Sequence, residues 1–464
     1  MRYEKYKKSI SPFLEEIPFH WKETYLLHAY SLSSDTGHTE EQLLSVFLDK
    51  GVVSYSSTDQ KQVHKPSEDM SKYQLVNPGD FVINNQQAWR GSVGISRYKG
   101  IVSPAYYIWR PRKDNNPYYM NYLFRDHYII DQFVLASKGV GSIQRQVYVP
   151  YMKRIILSIP PREEQNQIVR YLDWQVSKIN KLIHGYQRQI KLLEERRQTV
   201  IDRAVTKGVR HGRQMQSMQA NWMGDIPADW KMIPSKRLFL ESKERKHPDD
   251  KPATASQKYG IILQEDYMKS ENKRIVIATQ GLDDWKHVEP DNFVISLRSF
   301  QGGIERSEIF GCVTWHYIVL LPQKYVVPRY FKWLLKSKSY IKALQGTSEF
   351  IRDGQDLRYS NFVKVDLPLI PASEQEEIAD YIEQETAKID RAVPVLEKEI
   401  ELLKEYCTRL ISDVVTGQMD VRNVEVPEYT PEEDIAEEAP EEQEVEMDAD
   451  KDMDGVLVTI TDEA

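Results

Sequence analysis

The stretch "EEQNQIVRYLDWQVSKINKLI", from Glu163 to Ile183, returns in altered form as "SEQEEIADYIEQETAKIDRAV", from Ser373 to Val393. Shifting the chain by 210 residues aligns residues 164–206 with residues 374–416 without a gap, and 13 of the 43 aligned positions are identical. Unrelated sequences of average composition would share about two or three positions. The chain therefore contains an internal duplication.

The duplication extends well beyond this segment. "IPFHWK" (Ile17–Lys22) recurs as "IPADWK" (Ile226–Lys231), and "NPGDFVIN" (Asn77–Asn84) is echoed by "EPDNFVIS" (Glu289–Ser296). Each half thus has an Ile-Pro-x-x-Trp motif, a variable globular part, a proline-containing connection and the repeated segment. A period this long indicates two tandem domains rather than a solenoid.

The globular parts have mixed patterns. Short β-branched and aromatic runs such as "DFVIN", "AYYIW", "NFVIS" and "HYIVLLP" predict strands. "NYLFRDHYIIDQFV" and "RYFKWLLKSKSYIKAL" have helical spacing. We therefore expect an α+β fold.

The repeated segment predicts a long helix in each half, about 65 Å long at 1.5 Å per residue. Apolar side chains recur at steps of three and four and form one stripe on each helix. The stripe residues are Ile168, Leu172, Ile179, Ile190 and Leu193 in the first helix and Ile378, Ile382, Ile389, Ile400 and Leu403 in the second. Residues 164–206 carry a net charge of +3 and residues 374–416 a net charge of −7, which favours pairing of the two helices with each other. We expect an antiparallel pair in a pseudo-twofold arrangement, with a bend near Gly185 and Pro394.

Charge is distributed unevenly along the chain. Residues 425–464 contain 17 acidic side chains and one basic side chain, so residues 1–424 carry +8 within the overall −8. A basic body permits a polyanionic partner, and the acidic segment has the composition of a disordered tail. The two cysteines, Cys312 and Cys407, are too far apart in sequence for a metal-binding motif, and we expect no metal site. No apolar run approaches membrane-spanning length, so we expect a cytoplasmic protein without a membrane partner.

These motifs, repeated in order, resemble the DNA-specificity subunit of type I restriction–modification systems over residues 1 to about 422. The shared features are Ile-Pro-x-x-Trp, Pro-x-x-Glu-Gln-x-x-Ile and a helix ending in Val-Thr-Lys-Gly or Val-Thr-Gly. The resemblance implies target recognition domains at residues 1–160 and 210–370, and long helices at residues 161–209 and 371–420. An acidic disordered tail would occupy residues 421–464.

The resemblance also implies partners and a division of labour. Each recognition domain would read one half of a bipartite, non-palindromic sequence in double-stranded DNA. The helices would dock two methyltransferase subunits and, through them, the restriction (translocase) subunits. S-adenosylmethionine, ATP and Mg²⁺ would belong to those partners, while this chain would hold no cofactor and catalyse nothing.

Polar loops at matching places in the halves are the candidate DNA contacts, because Asn and Gln can pair with adenine and Arg with guanine. In the first half these are Asn84, Asn85, Gln86, Gln87, Arg90, Ser142, Gln144 and Arg145; in the second they are Arg298, Ser299, Gln301, Arg306, Ser348, Arg352 and Gln355. Such residues are also common in ordinary surface turns.

Two other classes of protein remain open at this point. One is a stand-alone nuclease or methyltransferase with a duplicated domain, and the other is a coiled-coil scaffold that binds no nucleic acid. The sequence contains neither Gly-x-x-x-x-Gly-Lys-Ser/Thr nor Gly-x-Gly-x-x-Gly, which disfavours the enzyme. The basic body disfavours the scaffold.

Overall fold

The structure is a computed structural model that describes residues 2–48, 50–57, 66–67, 69–140, 144–217, 222–271, 282–296, 299–347 and 358–430. The chain divides into two compact units. Unit 1 comprises Met1–Tyr186 and Lys398–Ala436, and unit 2 comprises Gln187–Glu397 and Glu437–Ala464. Each unit therefore combines one globular part with a portion of both repeated segments.

The described residues of unit 1 form fourteen short strands. They are β1 (Tyr6–Lys8), β2 (Glu16–Pro18), β3 (Lys22–Tyr25), β4 (Tyr30–Ser33), β5 (Leu44–Phe47), β6 (Gly51–Ser54), β7 (Gln74–Val76), β8 (Phe81–Asn84), β9 (Val93–Ile95), β10 (Gly100–Val102), β11 (Tyr106–Pro111), β12 (Ser137–Val140), β13 (Gln144–Val147) and β14 (Ile156–Ile159). The helices are α1 (Leu26–Ala29), α2 (Pro117–Phe124), α3 (His127–Leu135), α4 (Val149–Met152) and α5 (Arg162–Lys207), the last of which continues into unit 2.

An antiparallel sheet in the order β4–β11–β8–β9 lies at the centre of unit 1. Successive side chains of a strand point to opposite faces of its sheet. Phe81 and Ile83 accordingly join the large core with the helices, while Val82 joins a smaller core on the other face. Both faces are covered, which explains why "FVI" is apolar at every position.

Unit 2 repeats this arrangement with twelve strands among its described residues. They are β15 (Met215–Gln216), β16 (Ile226–Pro227), β17 (Lys231–Ile233), β18 (Phe239–Glu241), β19 (Ala253–Ser256), β20 (Gly260–Leu263), β21 (Lys286–Val288), β22 (Phe293–Ile295), β23 (Glu305–Arg306), β24 (Gly311–Val313), β25 (Ile318–Pro322) and β26 (Leu367–Leu369). Its helices are α6 (Gln264–Glu271), α7 (Ser299–Gly302), α8 (Pro328–Leu334), α9 (Lys338–Gln345), α10 (Tyr359–Phe362) and α11 (Ala372–Val415), and α11 continues into unit 1.

The central sheet of unit 2 has the order β18–β25–β22–β23, the counterpart of the sheet in unit 1. The predicted strands are present in both units. Each of the two stretches with helical spacing is a pair of helices, because Asp126 and Ser337 cap a new helix in mid-stretch with their side-chain oxygens. The predicted α+β class, with two related globular parts and two long helices, is confirmed.

The long helices pair within unit 1. The predicted stripe residues Ile168, Leu172 and Ile179 are buried, and they share one core with the C-terminal end of α11. On that part of α11, Ile400 and Leu403 are half-buried against the same core.

In unit 2 the pairing is antiparallel, as contacts along the two helices and the turn after α5 show. Arg197 is 3.2 Å from Asp390, and further along the chain Arg210 is 2.8 Å from Glu377. The stripe residues Ile378, Ile382 and Ile389 are buried, whereas Ile190 and Leu193 are half-buried. Helix α5 continues through Gly185, and α11 continues through Pro394. The bends expected at these two residues stay predictions.

The structure explains the repeated Trp and Glu in unit 1. The indole of Trp21, from the Ile-Pro-x-x-Trp motif, donates to Glu164 Oε1 at 2.9 Å, and the Tyr3 hydroxyl donates to the same oxygen at 2.6 Å. Burial, and then the hydrogen bond to Glu164, raise the pKa of Tyr3, so its hydroxyl remains a donor. The motif therefore fastens the start of the domain to the first turn of α5.

Unit 2 contains the matching contacts. Trp230 Nε1 donates to Glu374 Oε1 at 3.1 Å, and Arg213 forms an ion pair with the same carboxylate. The neighbouring Gln375 accepts from Val327 N at 2.8 Å, which anchors the start of α8. These buried polar contacts explain why the Glu-Gln pair occurs in both halves.

The end of the described chain packs against unit 1. Val421 is buried, and the Gln167 amide donates to Val421 O at 3.1 Å and to Val424 O at 2.7 Å. We predicted a disordered tail from residue 421, but residues 421–424 are held by these contacts; residues 431–464 lie outside the described residues. None of the helices in the described ranges combines the length and apolar character that crossing a membrane requires.

Candidate nucleic-acid interface

The predicted loop of unit 1 after β8 is an ordered turn. The Asn84 side chain accepts from Gln86 N at 3.1 Å, and Asn84 O accepts from Gln87 N at 3.1 Å. A 3-10 turn over Ala88–Arg90 follows and ends at Gly91, whose φ of 101° favours glycine. Asn84 is thus occupied in shaping the turn. The exposed Gln86 and Arg90 and the half-buried Asn85 and Gln87 stay candidate contacts.

The hairpin of β12 and β13 lies beside this turn. Asn85 O accepts from Val147 N at 3.1 Å, which joins the turn to β13. The Arg145 guanidinium is 5.4 Å from the centre of the Trp89 ring, and that of Arg90 is 4.6 Å from it. The structure therefore brings together two loops that the sequence predicted separately.

A second cation–aromatic contact lies on the same hairpin. Lys138 Nζ is 3.7 Å from the ring centre of Tyr148 and 5.4 Å from that of Tyr151. Because Gly139 is the cross-strand partner of Arg145, the adjacent Lys138 points to the opposite face of the hairpin. Both faces of the hairpin therefore carry a cation next to an aromatic ring. We call Trp89, Arg90, Lys138, Arg145, Tyr148 and Tyr151 the cationic patch.

The cations of the cationic patch have no acidic partner among the described residues. Over the ranges that the structure describes, Arg90, Lys138 and Arg145 form no ion pair, and Arg90 and Lys138 are exposed. Tyr148 and Tyr151 are 39% and 45% exposed. Uncompensated cations suit DNA phosphates, and exposed rings and amides suit sugars and base edges.

Sequence reasoning missed four members of the patch, namely Trp89, Lys138, Tyr148 and Tyr151. A signal was available, because the chain contains no Asp or Glu between Asp131 and Glu163, whereas Lys and Arg occur five times there. An acid-free basic stretch that also holds aromatics is typical of nucleic-acid contact.

The counterpart loop in unit 2 has different chemistry. Ser299 is buried, and its hydroxyl accepts from Ser296 N at 2.9 Å, so it shapes the loop. Arg306, on β23, lies 2.6 Å from Asp291 and 3.6 Å from Glu308. Its charge is therefore compensated, and of the three candidates described here only Gln301 is exposed.

Several candidates are not described by the structure. Ser142, Arg298, Ser348, Arg352 and Gln355 lie outside the described residues. Gln144 lies on β13, where only its backbone is described. For these six, as for the candidates that the structure describes, the assignment to DNA contact stays a prediction.

Comparison with known proteins identifies the first unit. Residues 37–192 match the family model of the type I restriction modification DNA specificity domain. This range includes the turn after β8, the hairpin and the first part of α5. The cationic patch thus lies inside a DNA-specificity domain.

Solved structures extend the likeness to the fold of most of the chain. A chain from a structural study of complex assembly and conformational transition in a type I R-M system is 15% identical, with a TM-score of 0.61. That match covers 87% of this chain and 99% of the other, and it shows a shared fold.

Two further matches are to crystal structures of S subunits. The HsdS subunit from Thermoanaerobacter tengcongensis is 16% identical, with 89% and 100% of the two chains covered and a TM-score of 0.47. The S subunit from M. genitalium is 12% identical, with 91% and 100% covered and a TM-score of 0.32.

Among the classes of protein considered above, the family match favours DNA recognition by residues 37–192. These residues match a type I restriction modification DNA specificity domain, and the chain shares its fold with a chain from a type I R-M system.

Proposed function

We propose that the chain reads a bipartite, non-palindromic target in double-stranded DNA, with one half-site for each recognition domain. The observation that carries this proposal is the repetition of one strand order, β4–β11–β8–β9 and β18–β25–β22–β23, with different loop chemistry. A shared framework supports a shared task. The loops differ, because Gln86 and Arg90 are exposed in unit 1 whereas Arg306 is paired with Asp291 in unit 2. This difference supports different half-sites.

In unit 1 the hairpin of β12 and β13 would enter the major groove, which is wide enough for a two-stranded ribbon. A cation on each face of this hairpin matches the phosphates that line both sides of the groove. Gln86 and Gln87 have the amide groups that pair with adenine. Phosphate contacts would set the position of the protein, and the amides would select the sequence.

Partner docking is proposed for the long helices. Exposed large apolar side chains on α5 and α11 number three in each unit: Leu182, Leu402 and Tyr406 in unit 1, and Leu192, Tyr381 and Val395 in unit 2. Exposed apolar residues on a helix suit a protein partner. Exposed apolar residues on the helices of both units support two methyltransferase subunits, which would bring S-adenosylmethionine and recruit the restriction subunits with ATP and Mg²⁺.

The recognition domains are proposed at residues 1–160 and 210–370, and the helices that join them at residues 161–209 and 371–420. Because α5 and α11 are continuous helices that extend from one unit into the other, their length would set the unspecified spacer between the half-sites. Base contacts are local, so spacer and half-sites should be separable.

The test is to co-express the chain with the methyltransferase encoded beside it and to map the methylated positions across the host genome. We expect two short specified sequences of different composition, separated by a constant unspecified spacer. A continuous target, or two identical inverted half-sites, would rule out the proposal. The chain expressed without the methyltransferase should methylate nothing, and methylation by it alone would restore the enzyme alternative.

A further inference from the structure

Two histidines and an aspartate converge in unit 2. One ligand atom from each of His247, Asp250 and His287 lies within 4.8 Å of the others. His287 Nδ1 is 2.8 Å from Asp250 Oδ2, and the two imidazole rings are stacked with their centres 3.9 Å apart. We call these three residues the His–Asp cluster.

The backbone holds the cluster in place before any ion binds. Asp250 Oδ2 accepts from His247 N at 2.7 Å and closes a short turn, while His287 N donates to Glu244 O at 3.1 Å. The side chains of His287 and Asp250 are only 9% and 7% exposed, and that of His247 is half exposed. Two ligands are thus buried and fixed, and the third lies at the surface, where an ion can enter.

The ligand chemistry selects the type of ion. Two imidazoles and a carboxylate suit zinc and related first-row divalent ions, whereas Mg²⁺ and Ca²⁺ prefer oxygen ligands throughout. Zinc bonds of about 2.0–2.2 Å place neighbouring ligand atoms about 3.3 Å apart, so only small side-chain movements are needed. Glu244 Oε1 lies 2.9 Å from His247 Nε2. In metal sites a carboxylate at such a position orients the imidazole that binds the metal.

The duplication provides a matched comparison inside the same chain. In unit 1 Leu75 N donates to Asp35 O at 2.7 Å. This contact corresponds to the one from His287 N to Glu244 O in unit 2, so Leu75 takes the place of His287 and Asp35 that of Glu244. Asp35 also binds His38 Nε2 at 2.9 Å, as Glu244 binds His247. At the place of His287, however, unit 1 has Leu75, so only unit 2 has the second imidazole.

We propose that His247, Asp250 and His287 form a structural binding site for one divalent zinc-like ion in the second recognition domain. The ion would fasten the segment between β18 and β19 to β21, and so stabilise this domain without touching the first. The sequence predicts no metal site because its two cysteines are far apart. Folding creates the cluster by bringing His287 to His247 and Asp250, which lie 40 and 37 residues before it in the chain.

The test uses the full-length untagged chain, stripped with a chelator, desalted and titrated with Zn²⁺ by calorimetry. We expect one high-affinity ion per chain, and affinity about 100-fold or more weaker in His287→Leu, which places the unit 1 residue in unit 2. Asp250→Asn should also weaken binding. His38→Ala is the matched control, because it removes the corresponding histidine of unit 1, and it should bind zinc as the wild type does.

A folding readout accompanies the titration. Near-ultraviolet circular dichroism of each stripped variant should match that of the stripped wild type, and zinc should raise the thermal midpoint of the wild type but not of His287→Leu. A wild-type chain that binds no zinc would overturn the proposal. So would a His287→Leu variant that keeps wild-type affinity, or a His38→Ala variant that loses it.

Discussion

Replacing Arg90, Lys138 and Arg145 together with alanine should weaken DNA binding in a salt-dependent manner. None of the three forms an ion pair in the described part of the chain, so each is free to neutralise one phosphate. One neutralised phosphate contributes about 0.9 to the slope of log K against log salt concentration, so three contribute about 2.7. Over a fourfold rise in salt this difference amounts to about 40-fold in affinity.

The assay is fluorescence anisotropy of the purified complex with its methyltransferase, on labelled duplexes with and without the mapped target, at four or more salt concentrations. Replacing a residue that contacts phosphate should lower the affinity for both duplexes equally and reduce the salt slope by about 1. Gln86→Ala should instead cost about 1–3 kcal/mol on the target duplex alone if it reads a base.

The control is Lys99→Ala, since Lys99 is a basic residue of the same unit whose ammonium is paired with Glu41. Its slope should equal that of the wild type. If the triple variant also keeps the wild-type slope, the cationic patch is not the DNA contact of unit 1.

Three further outcomes are expected. Leu172→Ala and Ile382→Ala truncate matching and fully buried helix residues, and each should destabilise its own unit by about 2–5 kcal/mol. Hydrogen exchange read peptide by peptide should be faster in unit 1 for Leu172→Ala and in unit 2 for Ile382→Ala. Equal effects on both units would contradict the division of the chain into two units. Deleting residues 425–464 removes a net charge of −16 and should leave DNA affinity unchanged or raise it, whereas a loss of binding in the same anisotropy assay would show that the acidic segment contributes contacts. Lengthening α5 near Gly185 should change the spacer between methylated half-sites but neither half-site, and an altered half-site would mean that the helix does more than set the distance.

Periodicity was sufficient to predict the architecture. The long helices follow from stripes such as Ile168, Leu172 and Ile179, because a buried helical face imposes steps of three and four on the sequence. The strand "FVI" at Phe81–Ile83 is apolar throughout, since both faces of its sheet are covered. The repetition then predicted the second half from the first.

The contacts between distant residues were beyond such reasoning. Nothing local to Trp21 indicates that its indole reaches Glu164, and nothing local to His287 indicates that it meets Asp250. Arg306 was predicted as a base contact on its residue type, yet the fold places Asp291 beside it. Residue type indicates which chemistry is available, and only the tertiary structure shows which groups are already occupied.

We propose that each recognition domain reads its own half-site. The most direct measurement replaces residues 22–157 with the equivalent part of a related specificity subunit and maps the methylated sites in cells that also contain the methyltransferase. One half-site should change, while the other half-site and the spacer persist, because unit 2 and both long helices are unaltered. A chimaera that methylates a target with both half-sites rewritten would contradict the account.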